Sequence, residues 1–345
     1  MRETVLEIDD LHVEFRTDRA VVKAVNGLSL KLDAGETLGI VGETGSGKST
    51  VALSILRLLP KRVGFITKGS IKLSGRDITT IPEREMRLLR GAQASMIFQD
   101  PMNSLNPVIT VGEQIREMFT IRSTSNRAGA QQKEEFGLHR PMGRRNKRGA
   151  DPKVDALMEM VGIPAERKNE YPFQFSGGMR QRVGIAMALA NKPALVVADE
   201  PTTALDVTIQ AQVLEIMSEL KSQLNTAMLL ITHDLGIVAS MCDKVVIMYA
   251  GETVECGTLE QVFNNPSHPY TQGLIHSIPN IEKKVDRLSP IEGMVPDPAR
   301  LPAGCKFHPR CPSCMEVCKS AEVPLLFKGG HGVKCLRKGD FSEAR

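Results

Sequence analysis

The chain has 345 residues, long enough for two domains or for one domain with a substantial appendage. Its formal net charge of +4 is too small to indicate nucleic acid as a partner by itself. The first residues are acidic where a secretory signal would be basic and then apolar, and no stretch has about 18 consecutive apolar residues. We therefore expect a soluble chain that stays in the cytoplasm.

Two strands are predicted before the first motif, at residues 5–15 and 21–32. They would form an antiparallel layer beside the loop that follows. Phe15 is the only aromatic side chain in this region that could stack on a purine base, although Arg19 could stack instead. A ring at such a position more often packs in a core, and spacing alone does not decide between these roles.

A phosphate-binding loop follows a short apolar strand at residues 37–41 and precedes a helical pattern at residues 49–59. The loop fits G-x-x-x-x-G-K-[ST], in which glycines let backbone N–H groups turn toward one anion at a helix start. Lys48 would reach the β- and γ-phosphates of a nucleotide, and Ser49 would bind Mg²⁺. The predicted ATP-binding residues of this P-loop are Gly42, Glu43, Thr44, Gly45, Ser46, Gly47, Lys48, Ser49 and Thr50.

Residues 70–78 indicate a strand and turn, and residues 94–98 indicate a strand that ends at Gln99. A polar amide after an apolar run can be a simple edge residue. The alternative is that Gln99 reaches toward Mg²⁺ and the attacking water. Residues 100–107 form a turn-rich loop.

Helical patterns at residues 108–120 and 154–161 predict a separate helical subdomain. Between them, residues 122–148 carry eight Lys or Arg residues against Glu134 and Glu135. Few large apolar residues occur there, so we expect a solvated, disordered loop. Contact with anionic lipid or nucleic acid is the less favoured alternative.

A second candidate anion-binding helix start lies at residues 175–182, before an apolar helix at residues 183–190. Ser176, Gly177 and Gly178 would present bare N–H groups and the positive end of the helix dipole. On its own, this pattern could be an ordinary N-cap.

An apolar strand at residues 195–198 ends in two carboxylates, Asp199 and Glu200. Asp199 suits Mg²⁺, and Glu200 suits the activation of a water. A turn ending at Asp206 then leads into another helix.

A further strand at residues 228–231 is followed by His233. A lone histidine is usually structural. At the carboxyl end of a strand beside a phosphate site, a functional role is favoured, because ligands gather at that edge of an α/β sheet.

In this order, the motifs resemble those of the nucleotide-binding subunit of an ATP-binding cassette (ABC) transporter, over residues 5–257. The resemblance implies an α/β P-loop NTPase fold: an ABC ATPase domain with a RecA-like core, an antiparallel β layer and a helical subdomain. The matching motifs are Walker A at 42–49, the Q-loop at Gln99, the signature at 175–179, Walker B at 195–199, the catalytic Glu200, the D-loop at 204–206 and the switch His233. The signature has Phe175 and Met179 where LSGGQ is commoner, a reading that is common in the peptide-importer branch.

The resemblance also implies how ATP is hydrolysed. Ser176, Gly177, Gly178 and Met179 would close on ATP held by a partner's equivalent of Lys48, so that two subunits sandwich two ATP. Glu200 would polarise the water, His233 would hold the γ-phosphate, and Gln99 would link the site to membrane contacts. Mg²⁺ would be held through Ser49, Gln99 and Asp199, and Asp206 would belong to the D-loop.

The partners implied are a second, related ABC ATPase subunit, two transmembrane permease subunits and an extracytoplasmic solute-binding protein. The chain would then lie at the cytoplasmic face of the membrane, with no nucleic acid partner. Two rival readings are a soluble ABC ATPase that acts on DNA or the ribosome, and a non-enzymatic scaffold. Glu200 and His233 argue against the scaffold.

A second motif, residues 265–274, can be interpreted simply as a proline turn that enters a helix. Together with the cysteine-rich tail it resembles the C-terminal extension of dipeptide and oligopeptide importers, and of related nickel and glutathione importers. We therefore expect an ABC domain at 1–260, with a helical subdomain at about 107–180 and a basic insertion at 122–150. A small cysteine-rich extension would occupy 261–345.

Five of the seven cysteines lie between residues 305 and 335, which in a reducing compartment suggests metal rather than disulfides. The spacing of Cys305, Cys311, Cys318 and Cys335 resembles importers of this branch that carry an iron–sulfur cluster. Four thiolates suit either a [4Fe–4S] cluster or tetrahedral Zn²⁺. Cys314 is the spare thiol, although spacing alone does not exclude it as a ligand. Reduced thiols without metal are the remaining alternative.

Overall fold

The computed structural model describes residues 3–100, 104–127, 147–203, 205–277, 290–337 and 342–343, without side chains for 120–127, 147–150 and 342–343. Its strands, numbered β1 to β13, are Thr4–Arg16, Val21–Asp33, Thr37–Val41, Gly64–Leu73, Arg76–Asp77, Ala94–Ile97, Leu195–Asp199, Ala227–Thr232, Lys244–Tyr249, Glu252–Thr258, Leu326–Lys328, His331–Val333 and Ser342–Glu343. Its helices, numbered α1 to α9, are Lys48–Ile55, Glu83–Leu89, Val111–Arg127, Lys147–Met160, Gly177–Leu189, Val207–Leu224, Leu235–Met241, Leu259–Asn264 and Pro269–His276.

The chain divides into two compact units. The first unit is formed by Met1–Thr80 and Met228–Arg345, and the second by Ile81–Ala227. The boundary predicted near residue 260 lies inside the first unit and stays a prediction.

An antiparallel sheet in the first unit has the order β2-β1-β4-β5, which confirms the predicted antiparallel layer. A second sheet in this unit runs β13-β11-β12-β10-β9-β3-β8. Strand β3 pairs in parallel with β8 on one side and with β9 on the other. All five residues of β3 are buried, as expected for a parallel strand covered on both faces.

The cysteine-rich extension adds strands to this sheet instead of folding apart from it. Strand β12 pairs with β10, with Val333 opposite Glu255, and β11 pairs with β12. The sequence pattern did not predict these strands, because each is only three residues long.

The second unit contains α2 to α6 and the parallel pair β6 and β7. Helices α3 and α4 confirm the helical patterns, but they reach further into the basic stretch than predicted, to Arg127 and from Lys147. The rest of the predicted basic insertion, residues 128–146, lies outside the described residues.

Helix α1 is shorter than predicted and ends at Ile55 instead of near residue 59. Arg57 has a left-handed backbone with φ 51°, and Pro60 follows. Both features are incompatible with continuing the helix.

A buried carboxylate, Glu255 on β10, joins three segments of the first unit and is fully inaccessible to solvent. It accepts hydrogen bonds from the backbone N–H groups of Ser267 (2.7 Å) and His268 (2.8 Å). His331 Nε2 on β12 lies 2.7 Å from its Oε1. A buried charge is tolerated when its hydrogen-bonding capacity is used in this way.

We predict that Glu255→Gln lowers the free energy of unfolding by about 1–3 kcal/mol, because the amide NH₂ then faces buried donors. The urea unfolding midpoint of the purified chain measures this. The exposed Glu260→Gln on α8 is the matched control and should shift stability by less than about 0.5 kcal/mol. Equal midpoints for the two variants would contradict the assigned role of Glu255.

Candidate functional site

The glycines of the P-loop are required by close packing in the first unit. A Cβ on Gly42 would overlap the carbonyl oxygen of Met248 and lie 2.7 Å from Ser46 Oγ. Gly47 has φ 99°, and a Cβ there would overlap the carbonyl oxygen of Ala24. Only glycine fits these two positions without moving the neighbouring backbone.

Lys48 begins α1 and is 6% exposed. Its Nζ donates to the carbonyl oxygens of Gly42 (2.7 Å) and Glu43 (3.0 Å). Ser46 Oγ is buried and has no hydrogen-bond partner among the described residues, while Ser49 is exposed at the start of α1. A phosphate group would accept from Lys48 and from the buried Ser46 hydroxyl, so the loop fits the predicted nucleotide.

The remaining P-loop positions, Thr44, Gly45 and Thr50, are not deeply buried. Phe15, on β1, is half-buried, and a Cβ on Gly64 would lie 3.2 Å from its ring. Its predicted contact with a base stays a prediction. His233 follows β8 directly, at the carboxyl end of the strand, as predicted.

In the second unit, Gln99 and Thr203 both contact the candidate base Glu200. Gln99 Nε2 donates to Glu200 Oε2 (2.8 Å), and Thr203 Oγ1 donates to the same oxygen (2.9 Å). The sequence predicted that Gln99 reaches toward Mg²⁺ and water, and did not predict this bond to the carboxylate. Glu200 itself has φ 47°, a left-handed conformation that is uncommon for this residue type and clusters at functional sites.

Asp199 ends the fully buried strand β7 and is 6% exposed. Asp206 is the N-cap of α6, where its carboxylate accepts from the N–H of Ile209 (3.0 Å). The end of β7 thus fixes the position of Asp199, and the start of α6 fixes that of Asp206.

The signature helix α5 has Ser176 as its N-cap, and Ser176 Oγ accepts from the N–H of Met179 (3.3 Å). Gly178 is buried, and a Cβ there would overlap the side chain of Ile209 on α6. Gly177, in contrast, is exposed. The N-cap reading is therefore confirmed, and the second glycine is explained by helix packing.

Arg167, which sequence reasoning missed, contacts both residues that differ from the common signature, Phe175 and Met179. Its guanidinium lies 4.6 Å from the centre of the Phe175 ring, and its Nη1 lies 3.3 Å from Met179 Sδ. Two hydrogen bonds from Nε and Nη2 to the carboxylate of Glu170 hold the guanidinium in place. The pKa of Arg167 is raised and that of Glu170 is lowered, in both cases through their mutual hydrogen bonds.

The four cysteines with the predicted ligand spacing line one small cavity of the first unit, beside Phe307. They are Cys305, Cys311, Cys318 and Cys335. Cys314 does not line the cavity, and its thiol donates to the carbonyl oxygen of Met315 (3.4 Å). Cys314 therefore lies outside the lining of this cavity but next to Cys311, whose carbonyl oxygen accepts from the Cys314 N–H (3.2 Å).

Burial raises the pKa of the Cys305 thiol to about 11 and also raises the pKa of Cys311. Within the described ranges, no group of three or more His, Cys, Asp or Glu side chains is arranged to hold one metal ion. The predicted bound metal, whether [4Fe–4S] or Zn²⁺, stays a prediction.

Comparison with known families matches the region that contains the P-loop, the two carboxylates and the signature helix. A family described as ABC transporter matches residues 25–203. The chain belongs to the ABC transporter family. It is an ATPase of that family, and the region described as "Oligopeptide/dipeptide transporter, C-terminal region" matches residues 254–318.

Several relatives of this ABC ATPase are similar over nearly the whole chain. "Oligopeptide transport ATP-binding protein AppD" of Bacillus subtilis is 45% identical over 336 residues, covering 96% of each chain. "Oligopeptide transport ATP-binding protein OppD" of Salmonella typhimurium is 46% identical over 337 residues, covering 96% of this chain and 93% of the relative. "Dipeptide transport ATP-binding protein DppD" of B. subtilis is 46% identical over 336 residues, covering 96% and 94%.

Solved structures confirm the predicted fold. A post-hydrolysis state of the ATP-binding cassette MJ0796 superposes with a TM-score of 0.60 at 22% identity, covering 74% of this chain and 98% of that one. CbiO1 of Clostridium perfringens gives a TM-score of 0.59 at 23% identity, covering 76% and 92%. Within the described residues of this ABC ATPase, no helix is both long and apolar enough to cross a membrane.

We predict that Arg167→Met lowers ATP turnover about tenfold, because Phe175 and Met179 lose the group that orders them. Binding of MgATP by the isolated chain should change less than twofold, since the P-loop is untouched. The neighbouring exposed Glu166→Gln is the control and should keep full turnover. Unaltered turnover in Arg167→Met would refute a role for this arginine in the signature.

Proposed function

We propose that this ABC ATPase hydrolyses ATP to drive the import of dipeptides or oligopeptides across the cytoplasmic membrane. The observation that carries the proposal is the C-terminal region of the oligopeptide/dipeptide type at residues 254–318. It is supported by about 45% identity, over nearly the whole chain, to relatives named for oligopeptide and dipeptide transport.

Phosphate binding is assigned to the P-loop. Lys48 would exchange its hydrogen bonds to Gly42 and Glu43 for phosphate oxygens, and the buried hydroxyl of Ser46 would gain a partner. Phe15 is assigned to the base. Ser49, Asp199 and Gln99 are assigned to Mg²⁺, which would neutralise charge on the phosphates.

Activation of water is assigned to Glu200. Its Oε2 is fixed by Gln99 and Thr203, so the carboxylate is oriented before substrate arrives. The carboxylate would take a proton from the attacking water as the water oxygen bonds to the γ-phosphorus and ADP leaves. His233 is assigned a hydrogen bond to the γ-phosphate.

A complete site requires a partner, as in the family. Ser176, Gly177, Gly178, Met179 and the D-loop residue Asp206 are assigned to ATP held by a second ABC ATPase subunit, a related but different chain. Two transmembrane permease subunits and an extracytoplasmic solute-binding protein complete the importer. The chain would lie at the cytoplasmic face of the membrane.

Nickel or a glutathione-like solute is the alternative cargo, because the permeases and the binding protein select the solute. A role on nucleic acid has less support, since AppD, OppD and DppD are all named for oligopeptide or dipeptide transport.

We predict that a strain lacking this subunit regains uptake of labelled dipeptides and tetrapeptides with the wild-type chain but not with Glu200→Gln. The substitution removes the base and leaves the phosphate loop whole, so ATP binding should persist while turnover falls by at least about 100-fold. The exposed Glu219→Gln on α6 should restore uptake fully.

Two outcomes of this experiment would decide against parts of the proposal. Restoration of nickel or glutathione uptake without peptide uptake would overturn the assigned cargo. Hydrolysis by Glu200→Gln near the wild-type rate would overturn the assigned base.

We further propose that Cys305, Cys311, Cys318 and Cys335 hold a [4Fe–4S] cluster that stabilises the extension and takes no part in hydrolysis. Support comes from the cavity that these four side chains share and that Cys314 does not line. Zinc modules more often use paired C-x2-C spacings. This segment has one such pair, Cys311 with Cys314, and no second matching pair, which favours the cluster over Zn²⁺.

We predict that anaerobically purified chain contains about four iron and four sulfide per chain, and that Cys335→Ser loses most of both. Cys314→Ser is the matched control and should keep them. Stoichiometric zinc, or no metal in fresh protein, would refute the cluster.

A further inference from the structure

Glu43 is a P-loop residue whose side chain is bound by a residue of the cysteine-rich extension. Arg310 Nη1 donates to Glu43 Oε2 (2.6 Å), and Arg310 Nη2 donates to Oε1 (3.1 Å). This is the two-bond geometry in which arginine binds a carboxylate most strongly. The Arg310 side chain is 4% exposed and that of Glu43 is 28% exposed, so solvent screens the pair only in part.

Arg310 is itself held in one position. Its Nε donates to the carbonyl oxygen of Glu292 (2.9 Å) and its Nη2 to that of Ile291 (3.0 Å). Hydrogen bonding to Glu43 raises the pKa of Arg310 further above its usual value, so the group stays charged. The guanidinium is thus a fixed positive charge directed at the P-loop.

Tyr270, in α9, binds the backbone of Glu43. Its hydroxyl accepts the N–H of Glu43 (2.9 Å). The N–H of Tyr270 donates to Nδ1 of the buried His268 (3.1 Å), whose pKa burial lowers to about 3. The neutral imidazole can therefore accept this bond throughout the physiological pH range.

Aromatic packing connects this contact to the cysteine cavity. The Tyr270 ring lies 5.4 Å from that of Phe307 and 4.7 Å from that of Tyr249. Phe307 lines the cavity of the four cysteines, and Arg310 immediately precedes Cys311. Movement of the cysteine segment would therefore move both groups that hold Glu43.

Glu43 carries a negative charge in a loop whose ligand is a polyanion. Without a partner, its carboxylate would repel the phosphates and would be free to turn toward Lys48, whose Nζ already contacts the Glu43 carbonyl oxygen. The bond from Arg310 removes both possibilities.

We propose that Arg310 is a positioning residue for ATP: it neutralises Glu43 and fixes the P-loop, so that nucleotide affinity depends on the folded extension. The proposal rests on the assignment of the P-loop to ATP and not on the identity of the cargo or the metal. A failure of peptide uptake or of iron binding would leave it standing.

The test is a double-mutant cycle on the purified full-length chain, with MgATP binding and steady-state hydrolysis as readouts. Arg310→Met should raise Kd and KM for MgATP about tenfold, with kcat changed less than about twofold. Arg310→Lys keeps the charge but loses the two-bond geometry, so it should fall between wild type and Arg310→Met.

The decisive variant is Arg310→Met in a Glu43→Gln background. If Arg310 acts by neutralising Glu43, its loss in that background should change Kd by less than about twofold. An equal loss of affinity in both backgrounds, or no loss in either, overturns the proposal.

Two controls separate positioning from loss of fold. Lys319→Met removes an exposed ion pair with Glu316 in the same extension and should leave Kd unchanged. The unfolding midpoint and iron content of each variant are measured in parallel. Recovery of affinity in the double variant without recovery of the midpoint supports positioning, and recovery only together with the midpoint overturns it.

Discussion

The burial of strand β3 is the constraint on which the nucleotide loop depends. This strand is covered on both faces and is paired on both edges by parallel strands, so its carboxyl end has little freedom to move. Gly42 follows that end directly and packs against the backbone of Met248, which lies on the neighbouring strand β9. The loop is thus shaped by main-chain contacts, and the Nζ of its lysine donates to the loop's own carbonyl groups.

The extension is part of the same compact unit as the P-loop. Backbone pairing of β12 with β10 and the buried carboxylate of Glu255 attach its hairpin to the sheet. The ion pair of Arg310 with Glu43 attaches it to the loop. A segment that resembles an appendage in sequence is, in the fold, in direct contact with the P-loop.

The sequence predicted the elements whose signals are local. Residues 37–41 form the predicted strand, and the glycine pattern around Lys48 forms the predicted loop. The contact of Arg310 with Glu43 spans 267 positions, and no periodicity or spacing records such a distance. Arg167 is only twelve positions from Met179, but this contact is known only once α5 is placed beside the short turn at Ala165–Asn169. Local propensity decides strands and caps, whereas tertiary packing decides which distant charge meets which.

The arrangement around Arg167 means that the two unusual signature residues are not independent substitutions. The Phe175 ring and the Met179 sulfur offer polarisable surfaces to one guanidinium. Leucine at the first position would offer that cation no π face, and the arginine would keep its sulfur, carboxylate and backbone partners. A signature of the commoner kind grafted into this chain would therefore meet a neighbour shaped for a different one. Arg167, Phe175 and Met179 would therefore have to be exchanged together, although twelve positions separate Arg167 from Met179.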